Sequence, residues 1–250
     1  MVKQFYKYRS FTILNLLKDR RERPLLISTL LAFIVLCIVE IRFPIFPFFI
    51  GSGLEDVLIS DATKNIFSGL LIGLISAYIF YVFIDFIPRS RKEREIFSVL
   101  NSLIASVLHS YKNCHIYGHE TALPHVDKSV LEKLWLESSL VTFRKNNSKY
   151  LPLLQAMNTS FTRLDDFRHV LPLVVALSPK HTMQWLVLTD KIRLLAENYG
   201  ENPEVSIDKQ HLIDKNTDDN PILEYKTALN FRMLEIIEES ICWLYPSENG

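Results

Sequence analysis

The stretch NIFSGLLIGLISAYIFYVFIDFI, residues 65–87, decides how this chain is to be read. From Ile66 to Ile84 it carries no charge, and it is longer than the roughly 20 apolar residues that cross a hydrocarbon layer about 30 Å thick. At 3.6 residues per turn Gly69, Gly73 and Ala77 fall nearly above one another, while Leu70, Leu71, Ile72, Leu74 and Ile75 cover the rest of the helix. Lipid tails are as apolar as leucine, so helices in a bilayer associate by close packing, and small residues four apart let two backbones approach. The stripe leaves two partners open: another span of the same chain, or the equivalent span of a second copy.

The flanks place the segment. A second apolar run opens after Pro24 and extends to Ile41, with no charge between Leu25 and Val39; at about 17 residues it is at the short end for a span. Ahead of it stand Lys3, Lys7, Arg9, Lys18, Arg20, Arg21 and Arg23 against only Asp19 and Glu22. Arg89, Arg91, Lys92 and Arg94 follow the 65–87 run, whereas Arg42, Glu55, Asp56, Asp61 and Lys64 lie between the two. Cytoplasmic flanks are the ones that collect lysine and arginine. The expectation is therefore an all-α, multi-pass protein with both termini in the cytoplasm. A basic amphipathic segment (1–23) precedes a two-span transmembrane hairpin (24–88, spans about 25–41 and 66–87), and a cytoplasmic helical bundle (89–250) follows. Buried core helices of a soluble protein would not call for basic clusters on the same side of both runs.

Charged and amphipathic residues at span ends read as interface anchors. Glu40, Arg42 and Asp85 sit where side chains reach water, and Tyr78 and Tyr81 fall towards the inner end of the second span. The outer segment RFPIFPFFIGSG, residues 42–53, combines Pro44 and Pro47 with four phenylalanines and suits the outer interface. The N-terminal segment either lies on the anionic inner leaflet or continues the first span inward.

Beyond Pro88 the pattern is helical throughout. Ser90 and Glu93 have capping-box spacing for a new helix with the stripe Ile96, Leu100, Leu103, Val107 and Tyr111. Asp127 caps a helix to about Phe143, and Leu153, Leu154, Met157, Phe161, Leu164 and Leu171 continue the period up to Pro172. Ser178 and Pro179 start another, striped by Trp185, Leu188, Ile192, Leu195 and Tyr199. A loop over 199–221 leads to Asn220 and Pro221 and a last helix striped by Phe231, Leu234, Ile237, Ile241 and Leu244.

Little chemistry is declared. Cys37, Cys114 and Cys242 are an odd number at no paired spacing, which excludes a disulfide framework and suits a reducing compartment. Cys114, His115 and His119, with His125 nearby, have metal-ligand character, but Gly118 and the missing second cluster favour surface histidines and no metal. His211 with Asp214, and Asp165 with Asp166, offer acid–base groups without a substrate pocket. No phosphate-binding glycine loop or nucleophile elbow occurs, so neither an enzyme nor a cofactor is expected. With 28 basic and 28 acidic residues the net charge is zero, and direct nucleic-acid binding is not expected.

Two N-terminal spans, a short outer loop, the exit FYVFIDFIPRSRKERE (residues 80–95) and a helical cytoplasmic domain resemble the two-transmembrane effectors of bacterial retron anti-phage systems. The resemblance implies an inner-membrane effector of abortive infection. It would be held silent by a reverse transcriptase with its noncoding RNA and DNA product until triggered, and would then damage the membrane. Membrane lipids and further copies of the chain complete the expected partners. The alternative is a membrane-anchored helical scaffold or sensor with no membrane-damaging activity.

Overall fold

The computed structural model describes residues 22–40, 61–114 and 121–246. Among them every regular element is helical, and the chain divides into two compact units, Met1–Lys92 and Glu93–Gly250.

In the first unit α1 (Glu22–Glu40) packs against α2 (Asp61–Tyr81). α1 begins ahead of Pro24, which falls in the first turn, where an amide would lack a partner anyway. One helix, Asn65–Asn113, is long and apolar enough among the described residues to cross a membrane. It does not restart at Ser90 and Glu93 as the capping pattern suggests. α2 passes through a wide turn, Val82–Phe86, straight into α3 (Ile87–Asn113). The reason is Pro88, which has no amide and whose ring would strike the carbonyl four residues back, that of Ile84. The wide turn relieves both conflicts: the Ile87 amide reaches back five residues to the Val82 carbonyl, the signature of a π-turn within an α-helix.

In the second unit α3 carries the expected stripe, with Ile96, Leu100, Leu103 and Val107 buried. It goes further: all seven residues from 103 to 109 are buried, so the helix is enclosed on every side rather than one. Asp127 caps only a short turn, Lys128–Leu131, and α4 (Lys133–Arg144) starts afresh after Glu132. α5 (Tyr150–His169) and the single-turn α6 (Leu171–Val175) follow. α7 (Pro179–Ala196) opens as expected, with Ser178 accepting from the His181 amide, and α8 (Leu223–Leu244) closes the bundle. α7 packs on α5, α6 and α8, while α8 also packs on α4 and α5.

The fully buried face of α8 shares only Ile237 with the predicted stripe. Lys226, Leu229, Asn230, Met233, Ile236, Ile237, Ser240 and Trp243 point inward, and Phe231 is half exposed. Polar members of that face are satisfied internally. The buried Lys226 ammonium donates to the Asp214 carbonyl (2.8 Å) and to Asn216 Oδ1 (3.1 Å). Asn230 donates to the Phe143 carbonyl (2.8 Å) and accepts from the Ser148 hydroxyl (2.6 Å). Tyr199, the last residue of the α7 stripe, also stays exposed, stacked on Phe161 at 4.0 Å.

Trp185 is the centre of the bundle. It is fully buried, stacks on Phe167 (5.4 Å), meets Trp243 edge-on (5.4 Å), and donates its indole proton to the Phe167 carbonyl at 3.0 Å. In a fragment of residues 93–250, Trp185→Ala should lower stability by about 3–5 kcal/mol in urea titration, as deletion of a buried aromatic does. A loss under about 1 kcal/mol would show that the packing is not centred there.

Candidate functional site

The small-residue stripe comes first. On α1 Glu22, Leu26, Thr29, Ala32 and Leu36 are withdrawn from solvent, with Cys37 beside the last; on α2 and the wide turn Ser68, Leu71, Ile75, Tyr78 and Val82 are, with Ser76, Tyr81 and Phe86 also covered. Both sets repeat at three- and four-residue spacing, the period of two helices packed nearly along one another. Counting about 100° per residue, Gly69, Gly73 and Ala77 lie about half a turn from the centre of the α2 set. All three are exposed, and a Cβ added at Gly69 or Gly73 meets nothing within 4 Å. Close approach to α1 therefore rests on other small residues, the buried Ala32 and Ser68. The glycine stripe faces away.

A polar anchor sits where α1 begins and α2 ends. Glu22 is 2% exposed, and its Oε1 accepts from the Tyr81 hydroxyl (2.7 Å) and from the Arg89 guanidinium (3.0 Å). Arg89 also pairs with Asp85 at 3.5 Å, one helical turn earlier. A charge hidden from water is tolerable only when it is paired and hydrogen-bonded; here the partners come from residues 59 and 67 positions away. The Glu22 Oε2 and the Tyr78 hydroxyl are buried without a hydrogen-bond partner.

Of the expected interface residues, Tyr81 and Asp85 thus belong to this anchor, and Tyr78 is half-buried beside Tyr81, ring centroids 6.4 Å apart. The Glu40 side chain and Arg42 lie outside the described residues, as do the outer segment 42–53 and the N-terminal segment up to residue 21. Glu22 and Arg89 are the members that sequence reasoning missed. They read there only as part of the charge count on the two flanks. An acid in a basic run, next to the first apolar run, was the available signal.

The cysteine–histidine segment resolves differently. Cys114 is half-buried at a positive φ of 31°, where its amide donates to the Ser110 carbonyl (3.1 Å) and burial pushes its thiol pKa up. His115 and His119 lie outside the described residues, and His125 is exposed. Among the described residues no group of three metal-ligating side chains forms.

The buried histidine of this region is His109. Its Nδ1 accepts from the Asp127 amide (3.3 Å), the Asn113 side-chain amide lies 3.1 Å from the same nitrogen, and Thr121 Oγ1 is 3.4 Å from Nε2. His109 therefore ties the chain returning from the 115–120 segment to the centre of the bundle. Asp127 itself accepts from the Ser129 amide and hydroxyl and from Lys112 (3.2 Å).

The acid–base groups noted in the sequence are not gathered into one site among the described residues. Asp214 accepts from the Tyr150 amide (2.8 Å), while Asp165 and Asp166 pair with Arg168 and Arg163, both at 3.2 Å. His211 is exposed on a short turn. A shallow cavity of ≈ 170 Å³ lined by Val99, Leu103, Leu123, Asp166, His169 and Val170 is smaller than the several hundred Å³ usual for a small-molecule site.

Compared with known protein families, curated proteins and solved structures, the chain matches none.

Two outcomes follow. Glu22→Gln leaves volume and one acceptor in place but removes the charge, so it should lower thermal stability in detergent by about 1–2 kcal/mol, with Arg89→Gln adding little beyond it. Full additivity of the two would mean that the pair is not coupled. Separately, Ser129 above all, with Lys112 beside it, holds the Asp127 carboxyl down to about 2. Its contribution is complete above the unfolded carboxylate value near 4 and fades as pH falls towards 2. Asp127→Asn should therefore flatten the stability profile of the bundle between those limits; an unchanged slope would remove Asp127 from the account.

Proposed function

We propose that this chain is a two-span inner-membrane protein with both termini in the cytoplasm. It acts as the non-enzymatic effector of an anti-phage, abortive-infection system. In this reading the hairpin is α1 and α2, and copies associate laterally through Gly69, Gly73 and Ala77. The helical unit from Glu93 onward receives the signal, by resemblance from a reverse transcriptase carrying its noncoding RNA and DNA. Release from that partner lets the assembled hairpins breach the membrane.

One observation carries the reading: the glycine stripe is exposed and about half a turn from the contact with α1. Leu70, Ile72, Leu74, Ile79 and Phe80 surround it, likewise exposed, and α1 exposes Leu25, Ile27, Leu30, Leu31, Phe33 and Ile34. An apolar surface of this extent is suited to lipid rather than water. A thin stripe within it is suited to a second helix. Basic residues at both inner flanks support the orientation.

The stripe supplies the test. A Cβ added at position 73 meets no atom of its own chain within 4 Å, so Gly73→Leu should insert and fold while keeping two copies apart. By analogy with overpacked cores, the cost is about 1–3 kcal/mol, a tenfold or greater loss in association. Induced expression of the full chain should collapse the membrane potential and yield crosslinked oligomers, and Gly73→Leu should lose both. If neither the native chain nor the variant affects the potential, alone or beside its neighbouring genes, the scaffold or sensor reading replaces this one.

A further inference from the structure

From Phe167 to Thr189 the chain contains no acidic residue; its charges are Arg168 and Lys180, with His169 and His181. This interval builds α6 and the first half of α7, two helices joined by three residues and packed on each other. α7 buries Trp185 and Leu188 while leaving a second apolar stripe outside: Met183, Leu186 and Val187 are exposed, and α6 adds Leu173 and Val175. Met183 and Val175, 63% and 59% exposed, would need no rearrangement of the bundle to enter another phase.

The acids that bracket the interval are neutralised locally, Asp165 by Arg168 (3.2 Å), Asp166 by Arg163 (3.2 Å) and Asp190 by Arg193 (2.8 Å), so that Lys180 is the cation of the interval outside these pairs. An exposed apolar corner with only cations among its charges is the composition of an interfacial lipid-binding element. We propose that the α6–α7 corner is a peripheral docking surface for an anionic lipid leaflet. The exposed Leu173, Val175, Met183, Leu186 and Val187 enter the headgroup boundary, and Lys180 meets the phosphates. The proposal rests on the reading of the chain as membrane-spanning. Tethering then keeps the corner within reach of the same bilayer, and a weak apolar and electrostatic contact gains the advantage of effective concentration.

The test uses the full chain in nanodiscs, with Cys37, Cys114 and Cys242 replaced by alanine and an environment-sensitive fluorophore attached through Met183→Cys. A parallel sample carries the label through Leu134→Cys, a position 80% exposed on α4. In discs of phosphatidylcholine and phosphatidylglycerol at about 7:3, emission from position 183 should shift to the blue and be quenched by lipids brominated in the upper acyl chain. In phosphatidylcholine alone the quenching should fall, and position 134 should stay aqueous in both.

Lys180→Glu with Val175→Glu, both changes at exposed positions, should lower the docking equilibrium by roughly tenfold or more while leaving the helical circular dichroism unchanged. Equal quenching in both lipids would overturn the electrostatic part, and absence of quenching in either would overturn docking altogether. Protection that depends on the number of chains per disc would assign the corner to a second copy and overturn a lipid occupant. Carbonate extraction, run in parallel, separates these results from failure of the spanning reading. A chain that extracts removes that reading, and the docking proposal with it.

Discussion

Pro88 imposes the constraint on which the backbone of this protein turns. A helix that continues through a proline gives up an amide donor and has to move the carbonyl four residues back out of the way. The wide turn at Val82–Phe86 does both, with the Ile87 amide donating to the Val82 carbonyl. The solution also sets register. One additional residue in a single turn rotates every later side chain by about 100° relative to an uninterrupted α-helix.

The two units hide polar groups by different rules. Around Trp185 the bundle encloses several polar side chains on partners: Lys226 on a carbonyl and an amide oxygen, Asn230 on Ser148 and the Phe143 carbonyl, Trp243 on Asn101. Such groups cost little once satisfied and much if one partner is lost. They fix which face of α8 turns inward more firmly than leucine spacing does. In the α1–α2 pair the buried ionic contact is concentrated at one end, where Glu22, Tyr81 and Arg89 meet. Farther along, the exposed side chains are almost wholly apolar.

What could be read from the sequence follows from this difference. Periodicity gave the helical class, the start of α7 at Ser178 and the core stripe of α3, because these depend on spacing within one segment. The inward face of α8 was misjudged because Phe231 and Leu234 obey the same period as Met233 and Ile237, and only the partners of Lys226 and Asn230 break the tie. The break expected at Pro88 was local chemistry correctly recognised and then overridden, since a wide turn removes the clash a proline normally resolves by ending a helix. The anchor at Glu22 was missed for another reason: it joins residues about 60 positions apart, and an acid within a basic run does not name such partners. The Gly69–Gly73–Ala77 stripe was legible as a groove, but which side of the helix it would occupy required the position of α1.

That position limits the assemblies open to the hairpin. A stripe on the far side of α2 can pair with the same stripe of a second copy about a two-fold axis, and such a self-complementary contact closes on itself at two chains. The outer surface of α1 offers bulkier residues, Leu30, Leu31, Phe33 and Ile34, and no equivalent row of glycine or alanine from Leu25 to Leu36. Two hairpins joined by their glycines would place both α1 helices at the periphery, making a four-helix unit with no further thin edge. A wider ring would need a second, different contact, since one isologous interface cannot propagate. In the proposed reading a breach is therefore an event of paired α1–α2 units unless another surface, outside that pair, supplies the contact that links one to the next.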